Sequence, residues 1–193
     1  MIGISGYARS GKDTFGEALV RILKQYGIKA KTYALATQLK KDITFLTESD
    51  FGISAFTLND DEKKIIRPLL VGYGEAWRKA NADHWVNVLF DSIKENFEFF
   101  PIITDIRYEN EANFILNNNG FLLNINRSLS SEEFIGPANE EEKLNGPKVK
   151  QKASFDLCWG TISDQKLIDE VVESFIISIL GDKIDLWKAT FSL

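Results

Sequence analysis

An α/β fold, with a parallel sheet covered on both faces by helices, is predicted by three features of the sequence. Short apolar runs alternate with amphipathic stretches of helical period along the chain. Some of these runs, such as Phe99 to Ile103, are apolar without interruption, which suits strands buried on both faces. The first run, Ile2-Gly3-Ile4, passes through a glycine-bounded loop, Gly6 to Gly11, directly into a helical pattern.

That loop is the most specific feature. Gly6 and Gly11-Lys12 have the spacing G-x-x-x-x-G-K, and Phe15, Ala18, Leu19, Ile22 and Leu23 form one face of the following helix. A chain that wraps a phosphate turns several backbone N–H groups inward, using conformations that glycine adopts cheaply. The helix start adds unpaired donors and a positive dipole end. Lys12 then reaches the β- and γ-phosphates of a nucleotide. After the lysine, where Ser or Thr commonly supplies a hydroxyl to Mg²⁺, stand Asp13 and then Thr14. Asp13 either holds the metal or is simply a favourable acid in a first helical turn.

The chain has 193 residues, 44% of them hydrophobic, which predicts one α/β domain with a sizeable core. The net charge of −5 argues against a broad nucleic-acid-binding face, and no direct nucleic-acid partner is expected. One cysteine, Cys158, excludes an intrachain disulfide framework, and one histidine, His84, excludes a histidine metal cluster or a Ser/His triad within one chain. No run is long and apolar enough to span a membrane. No basic segment precedes the first apolar run, so a signal peptide is not expected and a cytoplasmic location is.

In order, the expected elements are a helix from Lys12 to Tyr26 stopped by Gly27, and a strand from Ala30 to Ala36. A helix from Gln38 to Leu46 follows, capped by Thr37, and then a loop over residues 47–59. From Asp60 the pattern is helical again; Pro68 is expected to kink that helix or restart it, and Gly72 and Gly74 to weaken it. Next come a helix from His84 to Asn96, a strand over 99–105 ending in Asp105, and a helix from Glu109 to Asn117. A strand over 121–125 is closed by Asn126-Arg127, and residues 128–154 are polar. A last strand, Phe155 to Trp159, precedes a helix starting at Asp164.

In parallel sheets ligands bind at the carboxyl ends of the strands. That rule gathers the glycine loop, the 36–41 turn, Asp105-Ile106-Arg107 and Arg127 on one rim. Asp105 there suits Mg²⁺ coordination or proton acceptance, or else helix capping. Arg107 suits bridging donor and acceptor phosphates, or else pairing with Glu109 or Glu111. Lys40, Arg67 and Arg78 are candidate clamps for an acceptor's phosphate, on helix surfaces that also carry solvated basic residues. Trp77 and Trp85 read as core rather than as a base-stacking platform. The lysines of 128–154 either close over phosphates or belong to a polar excursion.

The segments GYARSGKDT, LATQLKK, RPLLVGYGEAWRKANADHW and ITDIRYENEA together resemble the deoxynucleoside monophosphate kinases of bacteriophages, over most of residues 1–127. The resemblance implies a three-layer nucleoside-monophosphate-kinase-like P-loop fold. It would have a five-stranded parallel sheet, an acceptor-binding helical region at about 37–98 and a lid at about 128–154, all within a single kinase domain over 1–193. The implied reaction moves the γ-phosphoryl group of ATP to a dNMP with Mg²⁺. Lys12, Asp105 and Arg107 would be catalytic, and Asp13 and Asp105 would serve the metal. Gly6, Arg9, Ser10, Gly11, Lys12, Asp13, Thr14, Arg127 and Thr161 would bind ATP, and Lys40, Arg67, Arg78 and Arg107 the acceptor. Glu141, Leu144 and Asp156 fall near family positions close to the donor, and Thr161 stands where the family has Asn. Two other functions compete: a P-loop kinase for another small acceptor, such as a coenzyme precursor or a phosphomevalonate-like molecule, and a nucleotide-binding module without transferase activity. A two-fold homodimer is the default assembly.

Overall fold

The computed structural model describes residues 1–128, 134–160, 164–181 and 189–191. Its elements in chain order are β1 (Ile2–Ser5), α1 (Lys12–Gln25), β2 (Ala30–Tyr33), α2 (Ala36–Phe51), α3 (Asp60–Ala80), α4 (His84–Glu95), β3 (Phe100–Ile106), α5 (Glu109–Asn117), β4 (Phe121–Arg127), α6 (Glu140–Gln151), β5 (Phe155–Trp159) and α7 (Gln165–Leu180). Two units are distinguished, one of Met1–Tyr33 with Ile93–Leu193 and one of Ala34–Ser92.

The first unit holds one five-stranded sheet in the order β2-β3-β1-β4-β5, with every pairing parallel. Alternation along the strands builds the layers. Ile2 and Ile4 of β1, with Ile102, Leu123 and Ile125, pack against Phe15, Leu19, Ile22 and Leu23 of α1 and Val172 and Ile176 of α7. The intervening Gly3 faces the other way. A Cβ there would stand 2.8 Å from Ile115 of α5, so this layer closes onto the sheet only because the residue has no side chain. α5 and α6 cover that second face. This is the three-layer α/β arrangement expected, with a five-stranded parallel sheet. Because β1 is central and β3 and β4 flank it, the carboxyl ends of all three meet where the chain reverses its order across the sheet.

The ladder lengthens two strands beyond the sequence expectation. β3 continues to Ile106, and β4 to Arg127 because Asn126 and Arg127 pair with Cys158 and Trp159 of β5. β2 is shorter than expected and ends at Tyr33. The polar stretch 128–154 contains a helix that was not expected, α6, capped by the Asn139 side chain on the Glu142 N–H. Gly146 and Pro147 in its interior, and its lack of an apolar stripe, hide it from a periodicity reading.

The second unit contains α2 and α3, which pack together, and the start of α4. Thr37 does not cap α2: the helix begins at Ala36, and its N-cap, Leu35, makes no side-chain bond. α2 also runs on to Phe51, through the first five residues of the expected loop. Leu39, Ile43 and Thr47 continue one buried face at four-residue spacing, and Thr47 satisfies its hydroxyl on the Thr44 carbonyl at 3.1 Å. Gly52, at φ +66°, supplies the stop. α3 passes through Pro68 without restarting and is capped by Asn59. At Gly74 a Cβ would meet Leu39 of α2 at 2.8 Å, and the Gly74 carbonyl accepts the Trp85 indole N–H at 3.3 Å. Trp85 is buried, as expected, whereas Trp77 is 39% exposed and stacks on His84 at 4.0 Å.

Phe15 is fully buried, with edge-on contacts to Trp159 and Phe175. Phe15→Ala should therefore cost about 3–5 kcal/mol of unfolding free energy, measured by urea denaturation.

Candidate active site

The glycine loop leaves β1 and turns into α1 through a run of unusual backbone. Gly6 sits at φ +141°, where a Cβ would fall 2.3 Å from the Ile125 carbonyl oxygen, and Gly11 sits at φ +92°. Arg9 between them is also left-handed, at φ +64°, which is costly for a residue with a side chain. The Ser10 N–H closes a turn onto the Tyr7 carbonyl at 3.1 Å. Gly11 caps α1 without any side-chain bond, so among the described residues no side chain caps the first-turn N–H groups of the helix. The buried Ser10 hydroxyl has no protein partner among the described residues. Uncapped donors at a helix start, an orphaned hydroxyl and positive-φ backbone make a cradle for a tetrahedral anion.

Two strand ends hold this loop by its carbonyl groups. The Trp159 indole N–H donates to the Ser10 carbonyl at 2.8 Å, and its ring occupies the space that a Gly11 side chain would fill. The Arg127 guanidinium donates to the Arg9 carbonyl at 3.2 Å. Tying the carbonyls outward leaves N–H groups to face the cradle. Beside it, Gly11, Thr14, Arg127, Trp159 and Gly160 line a depression of about 40 Å³.

Lys12 lies at the cradle's centre, with its ammonium on the Tyr7 carbonyl at 2.8 Å. Burial holds its pKa below the ordinary 10.5, and Arg107 pushes it further in the same direction. Glu142, Asp13 and Asp105 push it back. Two cations thus face one small space, an arrangement that an incoming polyanion relieves. Asp13 is exposed in the first turn of α1, and Asp105 is half-buried near the end of β3. Asp105 does not cap α5, whose N-cap is Tyr108. Instead Glu111, itself buried, accepts the backbone N–H groups of Arg107 and Tyr108 at 2.7 and 3.0 Å. Arg107 therefore pairs through its side chain with neither Glu109 nor Glu111. Its guanidinium lies 4.0 Å from Glu142, and Glu109 meets Lys152 at 3.7 Å.

The structure thus brings together Gly6, Arg9, Ser10, Gly11, Lys12, Asp13, Thr14, Asp105, Arg107 and Arg127 in one unit, at the carboxyl ends of β1, β3 and β4. Lys40, Arg67 and Arg78 belong to the other unit, on α2 and α3. Lys40 lies over the Phe56 ring, 5.7 Å from its centre, and Arg67 is exposed. Thr161 lies outside the described residues. Of the lysines in 128–154, Lys150 pairs with Asp156 at 3.1 Å and lines, with Arg107, Tyr7 and Asn126, a cavity of about 110 Å³ under α6. Burial pushes the Asp156 carboxyl up. Hydrogen bonds from Asn124, Lys150 and Asn126 and the Lys150 charge outweigh it and hold the group below its ordinary value.

Sequence reasoning missed two residues at the loop, Trp159 and Glu142. Signals existed for both. An indole at the end of a buried strand needs a partner for its N–H. The spacing Asn139-x-x-Glu142 before a basic run is a capping pattern. For a metal, the donor set suits Mg²⁺. Among the described residues no group of three or more His, Cys, Asp or Glu forms a cage. Mg²⁺ beside nucleotide phosphates takes one or two carboxylates, and Asp13 and Asp105 are the hard oxygen donors on this rim that would hold it.

No protein-family model and no curated protein matches this sequence. Solved structures do match in fold. Dephospho-CoA kinase from Campylobacter jejuni aligns at 13% identity with a TM-score of 0.52, covering 94% of this chain and 98% of that one. A shikimate kinase from Aquifex aeolicus aligns at 20% identity and a TM-score of 0.45, covering 94% and 97%. The chain has a P-loop-kinase-like fold. Among the described residues no helix is long and apolar enough to cross a membrane.

A lysine whose pKa is depressed by folding costs stability in full below its folded pKa. That cost fades as pH rises toward the ordinary value, where the unfolded chain also loses the proton. Lys12→Met should therefore be no less stable than the parent at neutral pH. Its advantage should shrink as pH approaches 10.5, read by denaturant unfolding of both proteins across pH.

Proposed function

We propose that the protein is an ATP-dependent P-loop kinase acting on a small acceptor. The observation that carries this reading is the cradle itself: uncapped N–H groups and the half-buried Lys12, with Arg107 and Asp105 on the same rim. Phosphoryl transfer asks for little besides positioning and charge neutralisation, and these groups offer both.

In this reading the loop N–H groups and the Ser10 hydroxyl hold the donor's phosphates. Lys12 leaves the Tyr7 carbonyl to neutralise their charge, and Arg127 and Thr14 flank the donor's remaining parts in the adjoining depression. Asp13 and Asp105 hold Mg²⁺, directly or through water, and the metal supplies charge neutralisation along the phosphates. Arg107 spans the donor and acceptor phosphates with its planar fork. The acceptor oxygen bonds to the γ-phosphorus as the bond to the β–γ bridging oxygen breaks, and ADP leaves. An acceptor phosphate attacks already ionised. An acceptor hydroxyl gives up a proton, which in this reading goes to Asp105 when Asp13 alone holds the metal.

Two acceptor classes are supported by different observations. The likeness to dephospho-CoA kinase favours a small acceptor outside the nucleoside monophosphates, such as a coenzyme precursor. The loop ending Lys12-Asp13-Thr14 and the strand-end Thr104-Asp105-Ile106-Arg107 support the finer reading of a dNMP. In that reading Lys40, Arg67 and Arg78 clamp its phosphate and residues 128–154 act as the lid.

ADP release from Mg-ATP should be stimulated by at least one member of a panel of dNMPs, NMPs and dephospho-CoA. Stimulation confined to dNMPs selects the finer reading, and stimulation confined to dephospho-CoA selects the coenzyme precursor. ATP binding without stimulation by any acceptor contradicts a kinase for these acceptors. Arg107→Ala should lower kcat at least ~100-fold with a smaller change in the ATP KM, since the guanidinium acts on charge that moves during transfer.

A further inference from the structure

α6 carries a buried carboxylate to the crest of the phosphate loop. Glu142 is 8% exposed, and its Oε2 accepts two backbone N–H groups: Ala8 in the loop at 3.2 Å and Ala138, just before α6, at 2.9 Å. Its Oε1 faces the Arg107 guanidinium at 4.0 Å. One side chain thus links three segments distant in sequence. We propose that Glu142 is a positioning residue, which fixes the loop crest in the geometry that receives the nucleotide's phosphates. This rests on the phosphate-binding reading of the loop.

A carboxylate beside an anion site could instead compete with the anion. The bonding here opposes that role. Moving Glu142 aside strands two N–H groups that it now satisfies together, at a cost comparable to a lost hydrogen bond for each. α6 is also seated at several points. Gly146 admits Tyr7 of the loop, where a Cβ would stand 2.6 Å from the ring. Lys152 reaches Glu109, Lys150 reaches Asp156, and Glu141 accepts the Tyr108 hydroxyl. A carboxylate held by a helix seated in this way acts as an abutment. It holds the Ala8 N–H in place, much as Trp159 and Arg127 hold the Ser10 and Arg9 carbonyls.

Reach and charge can be separated by two mild variants of the full chain. Glu142→Asp keeps the charge and withdraws the oxygens by one methylene. Glu142→Gln keeps the reach and an acceptor oxygen and removes the charge. Mg-ATP affinity is measured for both and for the parent by titration calorimetry, with thermal unfolding as the check on folding. Positioning predicts that Glu142→Asp binds about tenfold more weakly while Glu142→Gln stays within about threefold of the parent or binds more tightly. The reverse pattern, with Asp parent-like and Gln altered, would show that charge alone matters and overturn the proposal. So would unchanged affinity in both variants, whether or not their thermal stability falls, and so would equal weakening in both. A parent that fails to bind Mg-ATP would instead overturn the phosphate-binding reading, and is told apart because it needs no variant.

Discussion

Six residues, Gly6 to Gly11, have to carry the chain from a fully buried central strand into a helix and still leave backbone N–H groups unpaired. A folded chain normally satisfies such groups itself. Here, among the described residues, no side chain caps the start of α1, and the surrounding structure holds the loop in place. Gly6 must lack a side chain because the Ile125 carbonyl of the neighbouring strand fills that space. Trp159 and Arg127 take the carbonyls of Ser10 and Arg9, fixing the loop from the side of β4 and β5. Glu142 accepts the Ala8 N–H from the side of α6.

The sheet order makes this convergence possible. β1 is central, so its loop is reached by the carboxyl ends of β3 on one side and β4 on the other. β3 delivers Asp105 and Arg107, β4 delivers Arg127, and β5 delivers Trp159 one strand further out. The core beneath is stiff, with Ile2, Ile4, Phe15, Leu19 and Ile102 all fully buried. Burial and Arg107 disfavour the charge of Lys12, against which stand the Tyr7 carbonyl and the carboxylates of Glu142, Asp13 and Asp105. A site of this kind gives up some stability for a strong response to anions.

Much of the architecture was legible in the sequence because buried strands and amphipathic helices write their periods plainly. α5 and β5 have the bounds their patterns imply, and the loop's glycines marked the site. Reading failed where tertiary contacts decide. Thr47 is polar, so α2 seemed to end early, yet its hydroxyl folds back onto the helix and lets it be buried. Pro68 suggests a kink or a restart, and α3 does not restart there. α6 has no apolar stripe because it is held mainly by ion pairs and capping, and periodicity does not register those. The alternative of a local pair for Arg107 with Glu109 or Glu111 fails because its acidic neighbour lies 35 positions away in the chain, counting from 107 to 142.

The central claim is that the loop between β1 and α1 recognises phosphate, and the most direct measurement compares ligands that differ only in phosphate. Calorimetric titration of the parent protein with Mg-ATP and with adenosine serves this purpose. The account predicts that Mg-ATP binds at least ~100-fold more tightly than adenosine, since the cradle and Lys12 contribute only when phosphates are present. Equal affinity for the two, or no binding of Mg-ATP, would contradict it.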